Sequence, residues 1–454
     1  MNLYSKRIAF LISDQHFIPH GGIGQFAKGF TEMCGRLNWK VDIVLDKAPT
    51  NDFSEYVKML GANIVYTKDP LKYSDHTATF AFSDSINFEK VVNFRKAIVQ
   101  AFSTNIYDMI VCNTQEAMSA AYAIGISKYI PVMFYTHSYS MVCRDEQDFS
   151  DVCIDAYHTF YNKHMEFSDI FVGTQCQHNI DELTKYGAKN CVLARMPLSE
   201  RGLLTPNMNE RSGVLFIGRW EERKNPNAYI RAMSECKLPC KVMTNSTGAK
   251  KFEKAFKEAG ITDYEIRAGI VGQEKVDFIK SCKVFFMLAL GENYPFAFSE
   301  CLGHMPCLVL DNQDWSANFD SKYFTMVKLI DAGSTIAKLY ETTTEDYYAT
   351  GALDYIKQLD DDTAFGWVEF LDKFVGKRSN TNAAKINTYE TIKYRDFIIE
   401  LDRTHLARED FESVLANKYK FINVWYTDSD TYLSKDPTYK PVEEETGLSL
   451  FEGL

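Results

Sequence analysis

A chain of 454 residues is too long for one ordinary core and implies at least two domains. Hydrophobic residues at 46% and aromatics at 14% exclude wholesale disorder. A formal charge of −11, from 50 Lys and Arg against 61 Asp and Glu, argues against a protein held on nucleic acid by a broad basic surface, while leaving room for a local basic groove.

The first hydrophobic run, Ile8–Ile12, is too short for a signal peptide and reads as a strand. Residues 7–46 read as a β-α-β unit: "RIAFLIS", a loop "DQHFIPHGGIG", a helix face of Ile23, Phe26, Phe30, Met33 and Leu37, then "VDIVLD". The runs "ANIVY", "DMIVCN", "PVMFYTH" and "DIFVGT" follow, most of them separated by helical stretches. Such alternation predicts a parallel sheet covered on both faces. Met196–Gly213 is polar and turn-rich and reads as a linker. The alternation then restarts: "GVLFIG" as strand, Asn227–Cys236 as helix, "KVMTNS" as strand, Gln273–Ser281 as helix, Val284–Leu290 as strand, Pro295–Gly303 as helix and Cys307–Asp311 as strand. Beyond about Glu345 the text is helical and aromatic and closes on an acidic tail. The expected architecture is α/β: two Rossmann-like doubly wound domains, 1–205 and 206–345, facing a cleft. A helical region, 346–440, would pack on both, and 441–454 would be a flexible tail. Eleven cysteines without a C-x-x-C pair read as free thiols of a reducing cytoplasm, and no run reaches the roughly 18 apolar residues of a membrane span.

In doubly wound folds ligands bind at the carboxyl ends of the strands, so polar motifs just after strands are the candidates. After the first strand, Gly21, Gly22 and Gly24 let backbone amides approach a ligand at a helix N-terminus, or simply form a tight turn. After "GVLFIG", Arg219 and Lys224 are placed to clamp a diphosphate, the former as a fork and the latter as a point charge; a solvated loop is the bland alternative. After Val284–Leu290 comes "GENYPFAFSE", with Glu292 on the loop, Pro295 suited to a first helical turn and Glu300 further along the helix. Two carboxylates so placed can hold hydroxyl pairs of two sugars on either side of a diphosphate. His137, after Val132–Tyr135, would face the same cleft or serve as a structural hydrogen-bonder.

The glycine loop, the R-x4-K pair Arg219/Lys224 and the E-x7-E pair Glu292/Glu300 together resemble the retaining glycosyltransferases of the GT-B fold, over roughly residues 7–320. That resemblance implies that Arg219 and Lys224 neutralise a departing diphosphate and that Gly21 and Gly22 approach the donor. It implies that Glu292 holds the donor sugar beside the backbone of Asn293, Tyr294, Pro295 and Phe296, that Glu300 holds the ribose, and that Ile270 lies at the base-reading pocket. His137 would lie near the donor sugar and acceptor hydroxyl. The donor would be a UDP-sugar, with no essential metal; "DSD" (Asp428–Asp430) reads as a turn.

A narrower resemblance of "FYTHSYSMVCRD", the glycine loop and "ENYPFAFSECLGHMPCLVLD" is to the T-even-type bacteriophage enzymes that glycosylate 5-hydroxymethylcytosine in DNA. It implies a base leaving the stack, with Tyr135 and Tyr139 stacking on it, and transfer of glucose or arabinose. The other acceptor in view is a polysaccharide or glycolipid. Lys377–Lys385 and Lys250, Lys251, Lys254 and Lys257 would meet phosphates locally, or be ordinary solvated surface. The tail "GLSLFEGL" resembles sliding-clamp-binding peptides, with Leu448, Leu450 and Phe451 as anchors; folding back on its own domain is the alternative.

Overall fold

The computed structural model describes residues 5–13, 22–72, 88–123, 126–128, 130–137, 170–185, 190–292, 294–311 and 313–379. The first half runs β1 (Arg7–Leu11), α1 (Gly22–Arg36), β2 (Lys40–Leu45), α2 (Asn51–Met59), β3 (Asn63–Tyr66), α3 (Phe88–Thr104), β4 (Met109–Cys112), α4 (Gln115–Ala123), β5 (Val132–Tyr135), β6 (Ile170–Thr174), α5 (Gln177–Lys185) and β7 (Cys191–Leu193). The second runs β8 (Val214–Ile217), α6 (Pro226–Cys236), β9 (Cys240–Thr244), α7 (Ser246–Glu258), β10 (Tyr264–Ala268), α8 (Gly272–Lys280), β11 (Val284–Met287), α9 (Phe296–Leu302), β12 (Cys307–Leu310) and β13 (Thr325–Val327). Helices α10 (Ala332–Tyr340), α11 (Thr344–Ala349) and α12 (Ala352–Ser379) close it.

Two sheets result, seven strands in the order β3-β2-β1-β4-β5-β6-β7 and six in the order β10-β9-β8-β11-β12-β13. Every pairing is parallel, for example Ile8 with Met109 and Phe285 with Cys307. The order reverses direction at β1/β4 and at β8/β11, which opens a crevice at the strands' carboxyl ends in each sheet.

Helix α1 shows why the pattern folds this way. Phe26, Phe30 and Met33 are fully buried, with Ile23 and Leu37 packed at the margin. Phe26 stacks on Tyr135 at 4.0 Å, and Phe30 meets Trp367 of α12 edge-on at 4.8 Å. Each such pair contributes about 0.5–1.5 kcal/mol beyond its burial. Helix α12 thereby returns to the first domain. Its Asp360 accepts from Leu198 N–H and pairs with Arg36 and Arg201, while Leu353 lies against Gly303 at the end of α9.

The linker differs from expectation. Met196, Pro197, Leu198, Ser199 and Glu200 are buried. Two of their polar members reach α1: Ser199 bonds Gln25, and Glu200 Oε2 pairs with Lys28 at 2.8 Å. A Cβ on Gly29 would stand 2.7 Å from Pro197 O, so glycine there lets the linker lie directly on α1. The strand expected over Val284–Leu290 stops at Met287. Beyond residue 379 the chain lies outside the described residues, and with it Asp428–Asp430, the basic stretch to Lys385 and the tail anchors Leu448, Leu450 and Phe451. Every cysteine among the described residues is free. No helix there is long and apolar enough to cross a membrane.

His304, after α9, ties the linker to α11. Its Nε2 donates to Leu203 O at 2.7 Å and its Nδ1 accepts from the Tyr348 hydroxyl at 3.0 Å. Burial, with Lys280 and Arg211 nearby, holds its pKa down at about 3 from 6.5, against the opposing pull of the Leu203 carbonyl. Between those values the unfolded chain takes up a proton that the folded one refuses, so stability falls as pH drops from 6.5 towards 3. Between pH 7 and 4, urea melts are expected to show the wild type losing about 3 kcal/mol more than His304→Gln, whose amide keeps a donor and an acceptor without titrating. Parallel losses would place the acid sensitivity elsewhere.

Candidate active site

Strand β8 runs into Gly218, and Arg219 and Lys224 lie on the turn beyond it. A Cβ on Gly218 would meet Lys224 Cγ at 3.2 Å, so the bare glycine lets the lysine stem lie against the strand end. Asn225 adopts the left-handed conformation, φ 55°, which turns the chain into α6 with Pro226 at its start. Its Nδ2 donates to Leu288 O at 3.1 Å, and Leu290 N–H donates to Arg223 O at 2.8 Å. The loops after β8 and β11 are thus stitched together, and across the stitch the Lys224 ammonium meets Oε1 of Glu292. An ammonium carries three donors, so this bond leaves capacity for an anion. Arg219 sits further out, with 46% of its side chain exposed, and its Nε lies 3.0 Å from Glu221 Oε1.

Pro295 is the N-cap of α9 rather than its first residue, and its carbonyl accepts from Phe298 and Ser299 N–H at 3.0 and 3.4 Å. The Tyr294 ring is in the core, 5.2 Å from Phe319, so only its backbone is available to a ligand; Phe296 is half-buried. Asn293 lies outside the described residues. Glu300 turns inward and is 2% exposed. Its Oε1 accepts from Lys275 Nζ at 2.5 Å and from the Ser199 hydroxyl at 3.3 Å, while Oε2 has no partner among the described residues. Half-buried Ile270 follows β10, between Gly269 and Gly272, both with positive φ.

In the first domain, side-chain alternation puts Asn113, His137 and Gln175 at the carboxyl ends of β4, β5 and β6 on one face. The His137 Nε2 is hydrogen-bonded to Asn113 Oδ1, and Gln175 Nε2 donates to His137 O at 2.6 Å. Phe26 meets the imidazole edge-on at 5.2 Å. The ring is therefore held in one orientation at the crevice. Gly22 is exposed at the start of α1, and a Cβ there would meet nothing within 4 Å. Gly21 and Tyr139 lie outside the described residues.

Tyr135 is a correction. It is 1% exposed, its ring is covered by Phe26 and its hydroxyl donates to Ala194 O at 2.9 Å. It has no open face for a nucleobase. Lys250, Lys251, Lys254 and Lys257 are exposed on α7 among Glu253 and Glu258, with Lys254 3.8 Å from Glu258, so they form a mixed-charge helix surface. Among the described residues no group of His, Cys, Asp or Glu is arranged to hold a metal ion. A cavity of about 190 Å³ between β5, β7 and α12, lined by Met133, Ala194, Arg195 and Trp367, contains none of the candidate residues.

Sequence reasoning missed Lys275, Ser199, Gln25, Asn113 and Gln175. Lys275 had a signal: it shares its helix stripe with Phe278 and Ile279, both buried, and a lysine on an apolar stripe demands a counter-charge. Asn113 and Gln175 were visible only as polar residues ending apolar strands.

No protein-family model matches the sequence, and neither does any curated protein sequence. The fold is similar to that of a sucrose-phosphate synthase from Thermosynechococcus elongatus, at TM-score 0.62 and 13% identity over 82% of this chain and 100% of that one. It is also similar to Anabaena HepE in complex with UDP and glucose, at 0.56 and 11% over 83% and 100%. A Staphylococcus aureus TarM mutant, in a complex that includes UDP, matches at 0.60 and 10% over 81% and 100%. Two parallel α/β domains with these neighbours are the GT-B fold of glycosyltransferases.

Proposed function

We propose that the chain is a retaining glycosyltransferase whose donor, a UDP-sugar, lies across the carboxyl ends of β8, β10 and β11. The observation that carries this is the placement of Lys224, Glu292 and Glu300. The two stitched loops hold the first two side chains together, and the next helix holds the third with one carboxylate oxygen uncommitted. The UDP complexes among the structural neighbours support the choice of nucleotide.

Lys224 and Arg219 neutralise charge as the diphosphate departs; a developing charge met by preformed cations in a half-buried site is stabilised without reorganisation. Glu292 orients Lys224 through Oε1 and holds donor-sugar hydroxyls through Oε2. Glu300 Oε2 accepts from the ribose. His137, fixed by Asn113, faces the donor sugar and acceptor hydroxyl. The acceptor proton passes to the departing phosphate oxygen, which leaves catalysis resting on positioning and leaving-group stabilisation.

For the acceptor, the sequence resemblance favours the hydroxymethyl group of 5-hydroxymethylcytosine in DNA. With Tyr135 in the core, the base would stack elsewhere. Radiolabelled glucose and arabinose donors offered with hydroxymethylated duplex, plain duplex and lipid extract decide this. Label in the hydroxymethylated duplex alone is the expected outcome. Label in lipid keeps the chemistry and removes the DNA reading, and no release of sugar from any donor removes both. A clamp docked on Leu448, Leu450 and Phe451 belongs to the DNA reading and is tested by co-migration with and without those residues.

The two glutamates should separate kinetically. Glu292→Gln is expected mainly to lower kcat, and Glu300→Gln mainly to raise the donor KM. The reverse split would exchange their roles.

A further inference from the structure

We infer that Lys275, Ser199 and Gln25 are positioning residues that couple the ribose-holding carboxylate of Glu300 to the first domain; this rests on the donor-site reading above. Lys275 and Glu300 are each more than nine-tenths buried and only 2.5 Å apart, so the charge of each depends on the other. Both lie in the second domain, on α8 and α9. Ser199 belongs to the linker, and its hydroxyl reaches Glu300 Oε1 on one side and the Gln25 side-chain amide on the other. Gln25 is on α1 of the first domain, one turn before Gly29, where the linker makes its close approach.

The chemistry gives this row a direction. A serine hydroxyl has one proton. As placed, Ser199 Oγ faces both Gln25 Oε1 and Glu300 Oε1, two acceptors for that single proton. A half-turn of the Gln25 amide, which exchanges its oxygen and nitrogen, lets the amide donate to the hydroxyl oxygen and sends the serine proton to the carboxylate. The row then reads from Gln25 N–H to the Ser199 oxygen, and from Ser199 O–H to Glu300, with Lys275 donating to the same carboxylate oxygen. Both donors to the carboxylate, Ser199 and Lys275, aim at Oε1. Oε2 is left oriented and uncommitted for ribose hydroxyls, and the carboxylate need not be reoriented on binding. Charge-assisted bonds made by a preformed acceptor are strong ones. The second domain alone cannot complete the set, because its last donor comes from α1.

The test uses nucleotides that differ only at the ribose. UDP, ADP and GDP are titrated calorimetrically into the full chain, and the tightest is compared with its 2′,3′-dideoxy form. Wild type is expected to prefer the ribose form by about tenfold or more, the worth of hydrogen bonds to a charged group. Ser199→Ala and Gln25→Leu are each expected to shrink that preference by about threefold or more while leaving the dideoxy Kd unchanged. Lys275→Met would do the same where it folds; the two milder variants do not depend on it. A preference unchanged in both, or equal losses for both nucleotides, overturns the coupling and leaves the donor site standing. No preference in wild type overturns the coupling together with the ribose role of Glu300. Binding of none of the nucleotides removes the donor-site reading as well.

Discussion

Lys224→Ala is expected to lower kcat/KM for sugar transfer by about 10²–10³, the usual cost of removing one preformed stabiliser of a developing charge. Lys224 does two things here. It supplies positive charge at the end of β8, and it holds Glu292 through Oε1. Alanine removes the first and frees the second, whose side chain is only 8% exposed. Both kcat and donor KM should therefore worsen. Arg219→Ala is the milder control: that side chain is nearly half exposed and already engages Glu221. The measurement is release of nucleoside diphosphate from the donor under initial-rate conditions, with thermal melting to show that each variant folds. Wild-type kinetics in Lys224→Ala would remove the diphosphate clamp.

Tyr135→Ala is expected to cost about 3–5 kcal/mol of stability, the range for truncating a large buried aromatic. The ring fills the space between Phe26 and Trp367, and truncation leaves a cavity there. Tyr135→Phe keeps the stacking and loses only the bond to Ala194 O, for about 1 kcal/mol. Its transfer activity should equal wild type. Denaturant unfolding beside an activity assay decides the matter: a Tyr135→Ala chain that melts normally but no longer transfers sugar would put the ring back at the acceptor.

The strand ends were legible because parallel strands buried on both faces read as short apolar runs, and polar residues immediately after them stand out. Arg219, Lys224 and Glu292 were singled out that way, and the face of α1 was read from its three-and-four spacing, which its burial bears out. The same rule misplaced Tyr135. In "VMFY" every residue is apolar or aromatic, so nothing in the text separates a tyrosine buried under α1 and α12 from one that opens on the crevice. The linker was misread for a different reason. Ser199, Glu200 and Arg201 look solvated, but their partners are Gln25, Lys28 and Asp360, each more than 150 positions away. Pairings at such range leave no periodicity. Glu300 was singled out by its spacing from Glu292, yet its burial beside Lys275 was hidden because the two come from separate helices. Strands β7 and β13, three residues each, are too short to carry an alternation at all.

The most direct measurement is a crystal structure of the chain with UDP, or with ADP or GDP if one of those binds more tightly. The expected result places the diphosphate within hydrogen-bonding distance of Lys224, with Arg219 turned from Glu221 towards it, and the ribose hydroxyls on Oε2 of Glu300. A nucleotide seated away from both Lys224 and Glu300, or a failure of all three to bind, contradicts the assignment of this crevice as a nucleotide-sugar site.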